Sequence, residues 1–480
     1  MAMAEMFIGG KEIPFAELER FPVINPATGE VVDTVPLATE QEVDLAVKAA
    51  YEAFPGWWET PAARRGEVLY ACAERVKAHA EELARSLTLE QGKPIREARL
   101  EIRRFIHTIE HYAGLAKNLR GGFVPNLDEG AYGLILKRPL GVVAAIVPWN
   151  FPTTLLANKL GPALVTGNTV VAKPAETTPL TTLRIAALFH EAGLPPGVFN
   201  VVTGLGPVAG EALVRHPLVR KVAFTGSTPV GKRIMALASD TLKRVTLELG
   251  GSDPMIVCDD ADLDLAAKAA AVGRFFNCGQ ACLAVKRLYV FANVYEAFME
   301  RFLPRVRRLK LGPGLEEATQ MGPLHTERQR SLVEAQLQDA LDRGGRILMG
   351  GRRPEGEVFR RGFFLEPTVI LEPSLESRVA QEEVFGPALP VWRVGSLEEA
   401  VELANRSPYG LGSSIFTRSL ERASYALDKL EAGYTWVNSV NRIYDELPFG
   451  GVKESGYGKE HGLEALEFYQ ETKAGVVRWR

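Results

Sequence analysis

Between residues 141 and 251, five short, valine-rich apolar runs alternate with segments of helical patterning. The runs are GVVAAIV (141–147), TVVAK (169–173), VFNVV (198–202), KVAFT (221–225) and RVTLEL (244–249), and the helical segments lie at 154–165, 180–192, 208–214 and 230–238. Alternation of this kind predicts an α/β fold with a right-handed, parallel, doubly wound sheet, in which ligands settle against the carboxyl ends of the strands. The residues that follow each run are therefore the first candidates for a site. After the first run comes Val147-Pro148-Trp149-Asn150-Phe151-Pro152, whose prolines fix the backbone and whose Asn150 offers an amide donor; after the second comes Lys173-Pro174-Ala175-Glu176. After the fourth, Gly226-Ser227-Thr228-Pro229-Val230-Gly231 reads as a glycine turn and a helix start, where free N–H groups and the Ser227 hydroxyl can hold a phosphate. The G-x-G-x-x-G dinucleotide fingerprint is missing, because Gly204-Leu-Gly206-Pro-Val-Ala-Gly210 and Gly456-Tyr-Gly458-Lys-Glu-His-Gly462 have the wrong spacing. On sheet order and one glycine turn alone, a nucleotide site and a plain structural turn compete evenly.

The fifth run closes on Glu248-Leu249-Gly250-Gly251, and further on the stretch RFFNCGQACLAVKRLY (274–289) carries Cys282. An alanine-rich helical run (263–276) leads in, Gly279 breaks it and LYVF follows, so Cys282 is expected at a helix-to-strand turn. Taken alone, a cysteine between alanine and leucine is ordinarily a small buried hydrophobe. Taken together, a carboxylate at a strand end, a thiol on a turn and the Asn150 amide are what acyl chemistry at a carbonyl requires: nucleophile, base and oxyanion donor. No histidine partners the cysteine in a protease signature, so the base falls to Glu248.

A chain of 480 residues exceeds what one core usually fills, which predicts two or three domains. With 46% hydrophobic and 24% charged residues, a net charge of −3 and no long basic run, neither nucleic acid nor a membrane surface is an expected partner. The longest apolar run, 141–149, is far short of the roughly 20 residues that span a bilayer. No targeting pattern opens the chain, and four cysteines make no disulfide framework, so a cytoplasmic, reducing setting is expected. Cys278 has no second Cys/His pair with which to build a metal site; a structural role is expected, with reversible oxidation against Cys282 as a second reading.

Ahead of the alternating region, residues 22–36 read as a hairpin, and 39–54, 61–90 and 95–119 as amphipathic helices that pack on a sheet. The third helical stretch contains His107-Thr-Ile-Glu-His111, which matches the H-x-x-E-H zinc-protease pattern. With no downstream acidic ligand signalled, a solvated helix face explains it better, and no metal is expected.

The motifs Pro148-Trp-Asn-Phe-Pro152, Lys173-Pro-Ala-Glu176, Phe224-Thr-Gly-Ser-Thr228, Glu248-Leu-Gly-Gly251, Gly279-Gln-Ala-Cys282, Glu383-Val-Phe-Gly-Pro387 and Pro448-Phe-Gly-Gly451 occur in one order along the chain. In this the sequence resembles the NAD(P)-dependent aldehyde dehydrogenase superfamily over essentially its whole length. The resemblance implies a Rossmann-type nucleotide-binding domain (1–120 and 141–251), an α/β catalytic domain (252–440) and a small β flap for oligomerisation (121–140 and 460–480), giving homodimers or homotetramers. It also implies oxidation of an aldehyde to the free acid through a Cys282 thiohemiacetal and thioester. Asn150 and the Cys282 N–H would hold the oxyanion, and Glu248 would activate water. Because the coenzyme A-acylating relatives lack such a base, Glu248 favours a hydrolytic enzyme.

The cofactor is expected to be NAD, with NADP as an alternative, held by Val147, Pro148, Trp149, Lys173, Pro174, Ala175, Glu176, Gly206, Gly226, Ser227, Val230, Leu249, Glu383 and Phe385; Glu176 repels a 2′-phosphate. Phe151, Leu155, Asn158, Arg442 and Ile443, with Ala281, Leu283 and Tyr444, are the expected substrate wall. The polarity of Asn158 and Arg442 suggests a semialdehyde or hydroxyaldehyde such as succinic semialdehyde or lactaldehyde, against a broad range of simple aldehydes. A zinc protease and a catalytically silent homologue rank well below both.

Overall fold

The computed structural model describes residues 3–479; Met1, Ala2 and Arg480, which end the expected nucleotide-binding and flap segments, lie outside the described residues. The alternating region forms the strands Val142–Ile146, Thr169–Lys173, Phe199–Val201, Val219–Thr225 and Arg244–Glu248, side by side and parallel in the order third, second, first, fourth, fifth. Helices cover both faces, and all but the edge-most residues of these strands are buried, which is why they read as unbroken apolar runs. Strand order reverses between the first and fourth strands. Chains leaving Ile146 and Thr225 therefore diverge and open a crevice at the carboxyl edge.

Two additions complete this sheet to eight strands. A hairpin, Met6–Ile8 with Lys11–Ile13, turns on Gly9 and Gly10 (φ 62° and 85°) and pairs with Phe199–Val201; Gly456–Tyr457 pairs with Arg244–Glu248 at the other edge. The expected helix at 208–214 begins as a wide turn, Gly206–Gly210, before the α-helix Glu211–Arg215. The expected helix at 61–90 is two helices, Ala62–Ala78 and Ala80–Gln91, bent at His79 (φ −110°, ψ 15°), a break that no glycine or proline announces.

A second sheet of seven strands runs in the order Arg346–Met349, Thr368–Leu371, Ala388–Val394, Val285–Phe291, Asp253–Val257, Gly412–Phe416, Tyr434–Val437, all parallel except the first. Its central strands begin at Asp253, just after Glu248-Leu-Gly-Gly, and at Val285, just after Cys282. Thus the carboxyl edge of the first sheet meets the amino edge of the second, and both chemically loaded motifs lie on that seam. A third sheet, Gln470–Arg478, Ala131–Pro139 and Gly122–Asp128, is antiparallel, with Phe123, Val476 and Trp479 exposed. Among the described residues no helix is long and apolar enough to cross a membrane.

The helix Ile95–Leu115 lies against the helix Pro152–Val165, and their contact is tightest at Gly161, where an added Cβ would come within 2.4 Å of the buried Tyr112 ring. Alanine is worth about 1 kcal/mol over glycine in a helix interior, whereas overpacking costs about 1–3 kcal/mol. The ring is rigid and enclosed, so overpacking wins. Gly161→Ala is expected to lower the free energy of urea unfolding by about 1–2 kcal/mol; an increase would show that the two helices can slide apart.

Candidate active site

The helix Leu263–Phe275 delivers the chain to a tight turn, Phe276–Gly279, in which Asn277, Cys278 and Gly279 stand at φ 50°, 57° and 72°. A left-handed non-glycine residue costs about 1–3 kcal/mol, so the turn must be held from outside. Arg274 does this. Its guanidinium is wholly buried and meets no carboxylate, donating instead to the carbonyls of Val285 (3.2 Å), Gly279 (3.0 Å), Val384 (3.0 Å) and Gly386. One side chain thereby ties the cysteine loop to the Glu383-Val-Phe-Gly-Pro387 motif, although burial pulls its pKa down to about 9. Glu97 adds a bond to the Asn277 N–H (2.9 Å). Cys282 emerges partly exposed against Leu283, Leu411, Trp436, Phe449, Tyr434 and Ile443.

The charges around the thiol come from strand starts. Lys286 donates to the Cys282 carbonyl (2.7 Å) and to Glu383 (2.5 Å), and Glu383 also accepts from the Gly251 N–H (3.2 Å). A Cβ on Gly250 would stand 2.5 Å from the Glu383 carboxylate, so this glycine of the motif makes room for the approach. Burial pushes the Cys282 thiol up to about 12, opposed by the Lys286 ammonium.

Glu248 is buried, and neither carboxylate oxygen has a hydrogen-bond partner among the described residues. Burial first, then the nearby Glu460 carboxylate, raise its pKa well above the ordinary carboxylate range against the pull of Lys159 and Lys459. Glu460 is itself bound by Lys159 (2.7 Å) and Asn158 (3.0 Å). Gly450 passes so close to Glu248 that a Cβ there would lie 2.8 Å from its Oε1. A buried, unpartnered carboxyl of raised pKa within electrostatic reach of the Cys282 thiol is the signature of a group set to carry a proton.

Asn150 is fixed by its own backbone. Its carbonyl accepts from Lys93 (2.7 Å) and Asn277 (3.0 Å), while its Nδ2 gives one hydrogen to the Gln280 carbonyl (3.2 Å), two residues before Cys282, and keeps the other. Lys93 is paired with Glu101, which in turn caps the helix Pro152–Val165 at the N–H groups of Thr153 (3.0 Å) and Thr154 (3.3 Å). The Cys282 N–H has no acceptor among the described residues.

The residues expected to hold the cofactor line the crevice edge. Val147 N–H bonds the Lys173 carbonyl (3.1 Å), fixing the first two strand ends together. Trp149 stacks on His325 (4.5 Å, 12°) and meets Phe385 edge-on (5.5 Å, 89°). Lys173 is buried, donating to the carbonyls of Pro174 (2.9 Å) and Gly204 (2.8 Å), and lies 3.9 Å from the half-exposed Glu176, whose loop Ala175 closes by accepting from Thr178 (3.1 Å). Nothing lies within 4 Å of a Cβ built on Gly206. Gly226 N–H bonds the Glu248 carbonyl (3.0 Å). Ser227 caps the helix Thr228–Ser239 without committing its hydroxyl, which leaves the positive helix end free for an anion, with Val230 exposed in the first turn and Leu249 packed beneath Gly231.

Of the residues expected to form a substrate wall, Phe151 stacks on Phe276 (5.8 Å, 11°), and Leu155 and Asn158 follow one turn apart on the same helix. Asn158 keeps a buried Oδ1 with no donor among the described residues. Ile443 joins the Cys282 wall, whereas Arg442 is exposed with its guanidinium over Tyr444 (4.6 Å). His107 bonds Asp445 (2.7 Å). Sequence reasoning missed Arg274, Lys286, the Lys93–Glu101 pair and the Lys159–Glu460 pair. A signal existed for two of them: Lys159 and Lys286 are charged residues set in largely apolar stretches of sequence.

The model of the Aldehyde dehydrogenase family matches residues 14–474. A mitochondrial succinate-semialdehyde dehydrogenase from Arabidopsis thaliana is 43% identical, with 97% of this chain and 88% of the relative covered. A 3-sulfolactaldehyde dehydrogenase from Pseudomonas putida is 41% identical, with 98% and 96% covered. Among solved structures, a betaine aldehyde dehydrogenase from Staphylococcus aureus in complex with NAD+ superposes with a TM-score of 0.96 at 36% identity, covering 99% of this chain and 97% of that one. The seam between the two sheets, with its thiol, its buried carboxyl and its amide donor, thus lies in a chain that belongs to the aldehyde dehydrogenase family, an oxidoreductase acting on aldehydes.

Proposed function

We propose that this enzyme oxidises an aldehyde to the free carboxylic acid with NAD+, using Cys282 as nucleophile, Asn150 and the Cys282 N–H as oxyanion donors and Glu248 as base. The observation that carries the reading is Glu248: a buried carboxyl with two uncommitted oxygens and a raised pKa beside a thiol whose own pKa is raised. Glu248 takes the Cys282 proton as the sulfur adds to the carbonyl carbon, and the free hydrogen of the Asn150 amide meets the oxygen that becomes negative. A nicotinamide held in the crevice would supply the hydride acceptor, leaving the acyl group on Cys282 as a thioester. Once Glu248 has passed that first proton to solvent, it takes another from the water that attacks the thioester, and returns it to the Cys282 sulfur as the acid departs.

The fit of the dinucleotide rests on the uncommitted Ser227 cap, the open space at Gly206 and the Glu176 carboxylate at the crevice edge. Glu176 can accept from a ribose hydroxyl and would repel a 2′-phosphate. Lys173 does little to offset this, since two carbonyls hold its ammonium and burial lowers its pKa to about 8. NAD is therefore the preferred cofactor. For the substrate, the buried Asn158 Oδ1 is a vacant acceptor on the helix side shared with Phe151 and Leu155, and Arg442 lies over Tyr444 with its N–H donors uncommitted among the described residues. Asn158 suits a hydroxyl-bearing aldehyde and Arg442 a carboxylate-bearing one. The three-stranded sheet, with Phe123 62%, Val476 69% and Trp479 56% exposed, is the surface through which copies of the chain associate.

Replacing Cys282 by Ala is expected to abolish turnover, and Glu248→Gln to lower steady-state turnover by roughly 100-fold or more, read as reduced-cofactor formation. Full turnover in Glu248→Gln would remove Glu248 as the base. A neutral Glu248 cannot accept a proton and its pKa is raised, so kcat should climb with pH through a midpoint above the ordinary carboxylate value of about 4.3. The same limb should vanish from the residual activity of Glu248→Gln. Val476→Lys with Trp479→Lys should convert the oligomer to monomer in analytical ultracentrifugation; an unchanged mass would place the interface elsewhere.

A further inference from the structure

The wall that carries Arg442, Ile443 and Tyr444 is the loop between the strand Tyr434–Val437 and Phe449, and it contains two left-handed residues, Asn438 (φ 54°) and Asn441 (φ 56°). A loop of this kind needs an anchor to hold Ile443 against Cys282. The structure supplies one at its far end. The Asp445 side chain is wholly buried, and its carboxylate accepts from Arg104 (2.5 Å), His107 (2.7 Å) and Thr108 (3.4 Å) with His461 Nδ1 packed 2.8 Å away, while its carbonyl takes the Gly462 N–H (2.8 Å). Those partners come from two separate parts of the chain. Arg104, His107 and Thr108 project from the helix Ile95–Leu115, and His461 and Gly462 follow Glu460, the residue that faces Glu248.

The helix has further attachments. Glu97, Glu101, Arg104 and Thr108 recur at four-, three- and four-residue steps, which places them on one face. Glu97 holds the cysteine loop at Asn277, Glu101 holds the start of the Asn150 helix at Thr153, and Arg104 with Thr108 holds Asp445. One rigid element therefore sets the nucleophile loop, the oxyanion donor and the substrate wall in register. The histidine pair that resembles a zinc motif is part of the same device, because His107 is committed to Asp445.

We propose that Asp445 is a positioning residue for the substrate wall: by clamping the 438–447 loop to the helix Ile95–Leu115 and to His461, it fixes the pocket in which the aldehyde chain sits, without touching the reacting atoms. The inference rests on the proposed function for what the wall binds, and on the hydrogen bonds alone for the clamp.

The test is Asp445→Asn, which keeps the shape and removes the charge that Arg104 pairs with. Peptides covering 438–447 should exchange amide hydrogen faster while those covering the cysteine loop stay protected. The KM for the aldehyde should rise roughly tenfold or more, with kcat within about twofold and the KM for NAD unchanged. Arg104→Gln and His107→Ala, each cutting one arm, should shift the same two readouts in the same direction by less, and they carry the test if Asp445→Asn does not fold. Unchanged exchange at 438–447 overturns the clamp, and so does a fall in kcat at constant aldehyde KM. Faster exchange in a protein whose unaltered form oxidises no aldehyde would leave the clamp standing and sink the functional reading instead.

Discussion

The structure depends on a guanidinium buried without a counter-ion. Taking a charge out of water is costly by several kcal/mol, and among the described residues no carboxylate bonds Arg274, Glu383 acting on it only from a distance. What offsets it is geometry: four carbonyls from three chain segments converge on one planar fork, and they can do so only if the cysteine loop, the strand starting at Val285 and the turn at 384–386 keep their places. Loss of any one leaves the charge under-solvated. The left-handed run Asn277, Cys278, Gly279 is thereby stabilised, although each non-glycine member is unfavourable by itself. Removing the fork with Arg274→Ala would release both strain and register together.

Around that staple the site distributes charge in a consistent way. Lys93 with Glu101 and Lys159 with Glu460 are buried pairs, and Lys286 with Glu383 a partly buried one, and all three position backbone or neighbouring side chains. Glu248 stands apart, buried near a like charge with both oxygens free. That contrast assigns the roles: paired carboxylates hold the frame, and the unpaired one can change its protonation state at modest cost.

Much of this was legible in the sequence, and the reasons are physical. Strands covered on both faces must be continuously apolar, so the five runs from 141 to 249 declared themselves, and their ends named Asn150, Ser227 and Glu248 as neighbours of a crevice. The hairpin at 6–13 was missed although Gly9-Gly10 between short apolar runs signals it. The bend at His79 carries no local signal, because it is set by what the two helices pack against. The supporting charges were hidden for another reason. Partners such as Arg274 and Gly386 or Arg104 and Asp445 are far apart in sequence, and a single chain does not reveal long-range pairing. The zinc-like histidines, read as a solvated helix face, show the same blindness, since a pattern of letters four residues apart gives no indication of the distant carboxylate that engages His107.

The most direct measurement is mass spectrometry of Glu248→Gln quenched after an exposure to aldehyde and NAD+ long enough for the thiol to add without its base, with the adduct mapped by peptide. The account predicts an acyl group, joined as a thioester, on the peptide that holds Cys282 and on no other, at close to one equivalent per chain. An unmodified Cys282 peptide beside stoichiometric reduced cofactor, or an adduct on Cys278, would contradict it.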